Sequence, residues 1–332
     1  MNENREKNKN INKNLEKIDH VIAVLSGKGG VGKSTVATNL ALTLAEQGYN
    51  VGLLDSDIHG PTIPTMLGLE SARITQTEQG LQPVQASKNL KVLSMGFLIS
   101  DKDDAIIWRG PMKMGAIRQL LGDFDWGHLD FLIIDLPPGT GDEPLSIAQL
   151  IPKLSGAIIV TTPQDVALVS VRKSITFVKK INIPIIGIIE NMSGFSCPHC
   201  GKDINIFKSG GGEKAANDLD LPFLGKIPLN PQIVEMGDTG QTTLKDNNQI
   251  ASSFTDIVEK MMKELKREKG VKVKMPGRNG TGPVGRGRRR GFGQGPEGEC
   301  RCPNCGHRET HQIAVPCYSR SCPKCGSPMT RA

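Results

Sequence analysis

The sequence predicts an α/β fold, a mostly parallel sheet with helices on both faces, followed by a small metal-dependent C-terminal ribbon. Three observations predict it. Short apolar runs recur along residues 20–266 with helix-like intervals between them, the pattern of strands buried on both faces. A glycine-rich stretch, Gly27-Lys28-Gly29-Gly30-Val31-Gly32-Lys33-Ser34-Thr35, joins the first run to the first interval. Two Cys-x-x-Cys pairs lie near the end, Cys302/Cys305 and Cys322/Cys325, with sixteen residues between Cys305 and Cys322. That spacing falls in the window of zinc-binding knuckles.

The apolar runs read as strands are Val21–Leu25, Val51–Leu54, Leu90–Met95, Phe131–Asp135, Ala157–Thr161, Ile185–Ile189 and Phe223–Ile227. Helices are expected over Thr35–Gln47, Met112–Leu121, Val166–Ile181 and Ala251–Lys266. The first helix has Ala37, Leu40, Ala41, Leu44 and Ala45 on one face. The last carries a stripe of Phe254, Ile257, Val258, Met261, Met262 and Leu265. It is read as a closing helix packed on the sheet, in preference to a membrane-surface helix. Residues 1–19, rich in Asn, Lys and Glu, are expected to form a disordered leader.

Composition narrows the function classes. No apolar run approaches the ~20 residues that cross a bilayer, and the N-terminus has no signal-peptide core. A cytoplasmic protein is expected, and in a reducing compartment eight cysteines read as metal or cluster ligands. The net charge of +7 is uneven: residues 266–332 hold fifteen Lys and Arg against four Asp and Glu, so they carry +11 and the preceding chain −4. The Gly-, Pro- and Arg-rich residues 267–299 read as a flexible basic linker, not as a nucleic-acid surface. Residues 300–332 form a zinc-ribbon-like module, too small for a core without metal.

Gly27 to Ser34 fits G-x-x-x-x-G-K-S without a mismatch. Glycines let successive N–H groups turn inward around phosphate oxygens. The following helix aims its positive end at the same anion. Lys33 is expected to reach the β- and γ-phosphates, Ser34 to ligate Mg2+, and Thr35 to add a hydroxyl. The same glycines also fit the dinucleotide fingerprint G-x-G-x-x-G. That fingerprint asks for no Lys-Ser pair and no metal carboxylate downstream, so ATP with Mg2+ is preferred. Asp55 and Asp57 end the second strand, two residues apart and so on one side. One can hold a Mg2+-bound water while the other orients the attacking water. Asp135 ends an apolar strand as a second Mg2+ carboxylate, and Pro137-Pro138-Gly139-Thr140-Gly141 follows as a mobile loop. Asn191 follows the sixth strand, where it can present its amide to an adenine edge. Cys197 and Cys200 supply two ligands where zinc or an iron–sulfur cluster takes four. The others must come from His199, from the tail or from a second copy of the chain; a redox or unused pair is the remaining alternative.

Residues 20–266 resemble the Mrp (ApbC) family of iron–sulfur cluster carriers, deviant P-loop ATPases related to MinD, ParA and the nitrogenase iron protein. The likeness rests on Gly27–Thr35, Leu54–Pro61, Trp108-Arg109-Gly110-Pro111, Ile134–Asp142, Thr162-Pro163-Gln164-Asp165, Glu190–Gly201 and Ile227-Pro228-Leu229. It implies an ATPase homodimer that holds a [4Fe–4S] cluster between protomers through Cys197 and Cys200 of each. It also implies an upstream scaffold that supplies the cluster and apoproteins that accept it, with no membrane partner. Lys28 matches the family lysine that reaches the partner's nucleotide, Asp57 the water-orienting carboxylate, Asp55 and Asp135 the Mg2+ shell, and Asn191 the adenine contact. The leader lacks the cysteines of the eukaryotic scaffold branch, no acidic assembly domain precedes the loop, and the tail is an addition. The two knuckles resemble those of zinc ribbons, and rubredoxin uses similar ones for iron. Cys300 and Cys317 are left as spare thiols or cluster ligands, and His307 and His311 as surface residues. Two other functions share the fold: a MinD/ParA-type spatial organiser and an ATP-driven electron donor resembling the nitrogenase iron protein.

Overall fold

A computed structural model of the chain describes residues 2–57, 60–78, 80–98, 110–151, 154–197, 200, 202–240, 248–270, 299–310, 321–327 and 330–331. Residues 271–298 of the linker expected at 267–299 lie outside these residues, as do Trp108, Arg109, His199, His311 and Cys317. The chain divides into two units, Met1–Lys272 and Val273–Ala332.

The first unit begins with α1 (Asn2–Leu15), β1 (Ile18–Ser26), α2 (Lys33–Glu46), β2 (Val51–Asp55) and α3 (Ile63–Met66). Next come β3 (Thr75–Thr77), β4 (Gly80–Gln82), β5 (Val84–Ser87), β6 (Leu90–Ser94), α4 (Gly110–Gly122) and β7 (Leu129–Asp135). They are followed by α5 (Asp142–Leu150), β8 (Gly156–Thr161), α6 (Asp165–Lys180), β9 (Ile185–Glu190), and the short β10 (Phe195–Ser196) and β11 (Asp203–Ile204). The unit closes with α7 (Gly211–Asp218), β12 (Phe223–Lys226), α8 (Pro231–Thr239) and α9 (Asn248–Gly270).

Eight strands form one sheet in the order β12-β9-β8-β1-β7-β2-β6-β5. All neighbours run parallel except β5, which pairs antiparallel with β6 at the edge. The central strands are mostly apolar because both faces are covered. Ile22, Val24, Phe131 and Ile133 face a cluster that includes Leu40 and Leu44 of α2 and Phe254, Ile257 and Met261 of α9. Val21, Ala23, Leu25, Leu132 and Ile134 face the other, with Leu120 of α4 and Ile175 of α6. The stripe on α9 is therefore core, as the closing-helix reading expected.

Two boundaries differ from the sequence reading. Asn2–Leu15 is a helix, not a disordered leader. Ile11 and Leu15, one turn apart, are buried in the second cluster, and Asn14 donates its amide to Leu121 O (3.1 Å), Gly122 O (3.1 Å) and Phe124 O (2.8 Å) at the end of α4. Those carbonyls have no partner within their own helix, so the leader completes α4. At the other end α9 runs to Gly270, past the boundary expected at 266.

The second unit holds β13 (Glu299–Arg301), β14 (Arg308–Thr310) and β15 (Thr330–Arg331), antiparallel in the order β14-β13-β15.

Candidate functional site

The ligand-facing edge is set by register. In the parallel ladder Asp55 of β2 lies opposite Asp135 of β7 on one side and Ser94 of β6 on the other. Strand ends at one level gather their last side chains in one crevice. The glycine loop leaves β1 beside them and enters α2 through Gly32, whose φ of 76° is left-handed. Two glycines in it are dictated by space. A Cβ on Gly27 would lie 2.4 Å from the Ser170 carbonyl oxygen on α6, and one on Gly32 2.2 Å from Asn191 Nδ2. Ser26 braces the turn, its Oγ donating to Lys28 O at 2.9 Å.

Lys33, 6% exposed, reaches back from the start of α2 to Asp135 Oδ1 at 2.6 Å, and Asp135 is fully buried. Its other oxygen, Oδ2, is buried without a hydrogen-bond partner. Asp55 is buried too and accepts from Ser94 Oγ (2.9 Å), Asp57 N (3.1 Å) and Ile63 N (3.4 Å). Burial, with the Asp135 carboxylate alongside, pushes the Asp55 carboxyl up to about 7, the Ser94 and Asp57 donors opposing. Burial also raises Asp135, against the pull of Lys33.

In front of these groups opens a cleft of about 540 Å³, lined by all of residues 28–35, by Asp57 and by Thr62, Thr65 and Pro138. Its far wall is α8, through Ile233, Val234, Gly237 and Asp238. Sequence reasoning missed that wall, although Asn230-Pro231 is a helix-start signal: the Asn230 side chain accepts from Gln232 N at 2.8 Å. It also missed Ser94 as the donor to Asp55. Lys28 and Asp57 are half-buried on the cleft. Asn191, the expected adenine contact, packs against the glycine loop. It is 6% exposed, donates Nδ2 to Val31 O at 2.9 Å, and stands behind the loop, outside the lining of the cleft. The amide is engaged by a backbone carbonyl that sequence pattern could not place next to it.

From Asn191 the chain continues into a hairpin, with β10 antiparallel to β11. Cys197, half-buried, closes the hairpin by donating its N–H to Lys202 O at 3.0 Å, and Cys200 is exposed at the tip. Cys197 also lines a cleft of about 440 Å³ with Pro228, Leu229 and Pro231. Glu190, fully buried, anchors the base: its carboxylate accepts from Ser193 Oγ, from Gly210 N (2.8 Å) and from Gly212 N at the start of α7. Among the described residues Cys197 and Cys200 have no third Cys, His, Asp or Glu grouped with them.

In the second unit Cys302, Cys305, Cys322 and Cys325 bring their sulfurs within 4.8 Å of one another. The two knuckles repeat one design. Cys302 N donates to His307 O (2.8 Å) and Gly306 N to Cys302 O (3.0 Å); Cys322 N donates to Ser327 O (2.9 Å) and Gly326 N to Cys322 O (2.8 Å). Cys300, expected as a spare thiol or cluster ligand, is buried and disulfide-bonded, which takes its sulfur out of ligation. His307 is half-buried, its Nε2 3.5 Å from Glu309 Oε1.

Comparison with known proteins bears on the first unit. A curated iron–sulfur cluster carrier protein of Methanocaldococcus jannaschii is 51% identical over 259 residues, covering 78% of this chain and 89% of that protein. The cytosolic Fe-S cluster assembly factor CFD1 of Saccharomyces cerevisiae is 48% identical over 262 residues, 76% of this chain and 89% of the yeast protein. Among solved structures, a nucleotide-binding protein of Archaeoglobus fulgidus in complex with ADP superposes with a TM-score of 0.64 at 41% identity, covering 71% and 92% of the two chains. MinD of Pyrococcus horikoshii with Mg-ADP gives 0.53 at 26%, covering 75% and 98%. The family model described as ParA, NUBPL iron-transfer P-loop NTPase, matches residues 17–262. The chain therefore belongs to the iron-transfer P-loop NTPases of that ParA family.

Proposed function

We propose that the chain is a homodimeric carrier that takes up a [4Fe–4S] cluster on Cys197 and Cys200 of two protomers and passes it to acceptor apoproteins, under the control of ATP binding and slow hydrolysis. The observation that carries this reading is the hairpin. Two thiols stand at its tip, one exposed and one half-buried, with no third metal-ligating side chain grouped with them among the described residues. A four-iron cluster takes four thiolates, and a twofold axis through the tip doubles two into four. Names borne by the relatives from Methanocaldococcus and yeast support the same cargo. A scaffold upstream and acceptors downstream follow from a carrier's task. A cytoplasmic setting is supported by the yeast relative, which is named a cytosolic factor; none of the described helices is long and apolar enough to cross a membrane.

The nucleotide is assigned to the 540 Å³ cleft. Backbone N–H groups of residues 29–34 face its phosphates, Lys33 swings from Asp135 onto the β- and γ-oxygens, and Thr35 adds a hydroxyl. Asp57 orients the water that attacks the γ-phosphorus as the β–γ bridging oxygen leaves with ADP, giving ADP and phosphate. Lys28 reaches across the dimer to the partner's phosphates. The buried, unpartnered Asp135 Oδ2 beside a second buried carboxylate fits a divalent cation, so Ser34, Asp55 and Asp135 would hold Mg2+ directly or through water. Bound there, Mg2+ supplies charge neutralisation for the phosphates.

The four tail sulfurs fit Zn2+, whose bonds of about 2.3 Å set sulfurs a little under 4 Å apart. Here Cys302 and Cys325 are 3.4 Å apart, and Cys305 and Cys322 3.5 Å. Four protein ligands leave no open position, so this metal is structural.

Anaerobic reconstitution tests the carrier. With both chains ended after Lys272 to remove the tail thiols, wild type should bind about four irons per dimer, and Cys197→Ala/Cys200→Ala none. Equal iron in both chains would overturn the assignment. ATP turnover stimulated by vesicles and indifferent to both cysteines would instead favour a spatial organiser.

A further inference from the structure

We infer that Asn191 is the positioning residue that ties the shape of the phosphate loop to the placement of Cys197. The inference deepens the carrier reading and rests on its nucleotide site alone, since it concerns the thiols without cargo.

The side chain amide donates to Val31 O at 2.9 Å while the backbone N–H of the same residue donates to Thr161 O at 2.7 Å. Asn191 is thus held by the loop on one side and by the sheet on the other. Val31 C=O and Gly32 N–H belong to one trans peptide plane and point in opposite directions. Drawing the oxygen toward Asn191 therefore aims the Gly32 N–H away from it. That N–H belongs to the row expected to wrap the phosphates, so Asn191 sets the direction of a phosphate donor. The fit leaves no slack, because a Cβ on Gly32 would lie 2.2 Å from the amide nitrogen.

The other half of the link is the stiffness of the chain from Asn191 to Cys197. Ile227 N donates to Glu190 O (2.8 Å), Ser193 N to Ile227 O (2.9 Å), and Leu229 N to Gly194 O (2.9 Å). The Glu190 carboxylate holds Ser193 and the start of α7 from below. Met192 has a φ of 56°, a left-handed backbone uncommon outside glycine and kept here by its surroundings. A segment pinned this densely transmits a rotation of the Val31–Gly32 peptide in place of absorbing it. An anion that draws the Gly32 N–H forward pulls on Asn191, and the displacement arrives at the base of the cysteine hairpin.

Linkage makes the effect reciprocal in direction: if nucleotide shifts the equilibrium placement of Cys197, a modification of Cys197 that favours one placement changes nucleotide affinity. The test uses the full, metal-free chain. Alkylation of Cys197 by iodoacetamide is followed by site-resolved mass spectrometry, with and without saturating Mg-AMPPNP. Wild type should show a change of about fivefold or more, the lower range of coupling between two sites. Asn191→Ala and Asn191→Asp should lose it at nucleotide concentrations that saturate each, with nucleotide-induced thermal stabilisation showing that each is folded and loaded. Aspartate keeps the shape and turns the donor into an acceptor facing Val31 O, so an Asp variant that responds like wild type overturns the inference. So does a wild-type rate that ignores saturating nucleotide. A chain that keeps Asn191 supplies a check that does not depend on the folding of an Asn191 variant. Carbamidomethylation of Cys197 in a Cys200→Ser background should shift the equilibrium affinity for AMPPNP, and an unchanged affinity overturns the link. Failure of the carrier reading looks different, as coupling intact in a chain that never takes up iron.

Discussion

Lys33 and Asp135 meet at the buried back of the cleft, and beside them Asp55 keeps a second carboxyl out of solvent. One cation among two buried acids leaves an excess of negative charge, and the pH response follows. In the unfolded chain Asp55 gives up its proton near 3.8, whereas in the folded chain it holds it to about 7. Between those values the folded state binds more protons, so stability is greatest below the window and falls as pH rises through it. Urea titrations of the metal-free chain against Asp55→Asn should show this as a difference: wild type loses stability relative to the variant from pH 4 to 7, and the gap then stays constant. Parallel curves would show that Asp55 ionises as an ordinary surface carboxyl does. Lys33→Ala should lower ATP turnover by about two orders of magnitude or more, the scale of lost phosphate stabilisation, and single-turnover assays at saturating ATP separate that from weakened binding. The motif made Lys33, Ser34 and the three aspartates legible from sequence. It could not show Asn191 against Val31, since a contact across 160 positions leaves no periodic trace.

At the scale of elements, the long apolar strands and helices were legible because burial on both faces writes itself as unbroken or regularly spaced hydrophobic residues. All seven expected strands occur, β1 from Ile18 and β7 from Leu129, each a little longer than its apolar run. What escaped were elements fixed by few residues. The short β10 and β11, whose strand character comes from one antiparallel pairing, have no pattern to read, and α8 has no buried residue. In α1, mean polarity hid two apolar positions one turn apart. Ile11→Ala should cost about 2–5 kcal/mol in chemical denaturation, because Ile11 is 1% exposed; a disordered leader would register nothing.

Across the whole molecule, two thiol arrangements contrast. The tail gathers four sulfurs within one chain, while the hairpin presents two. Cys302→Ser with Cys322→Ser should reduce zinc, read by mass spectrometry, from one equivalent to none and leave ATP turnover as in wild type. Loss of turnover would instead make the tail a part of the nucleotide site. The tail's spacing was legible because knuckles are local; the role of Cys300 was not, since pairing between cysteines is invisible to spacing.

The place of β1 in the sheet bears on how the protein is born. The strand that carries the phosphate loop leaves the ribosome first, yet it lies between β7 and β8, which reach as far as Asp135 and Thr161. Until those segments have been synthesised, its backbone has no neighbours, and α1 has no α4 to complete. At some 5–20 residues per second the nascent chain spends many seconds with this apolar strand unpaired. Nucleotide therefore meets a finished pocket only after α8, which ends at Thr239 and walls the cleft, has emerged as well, and chaperones have that interval in which to act.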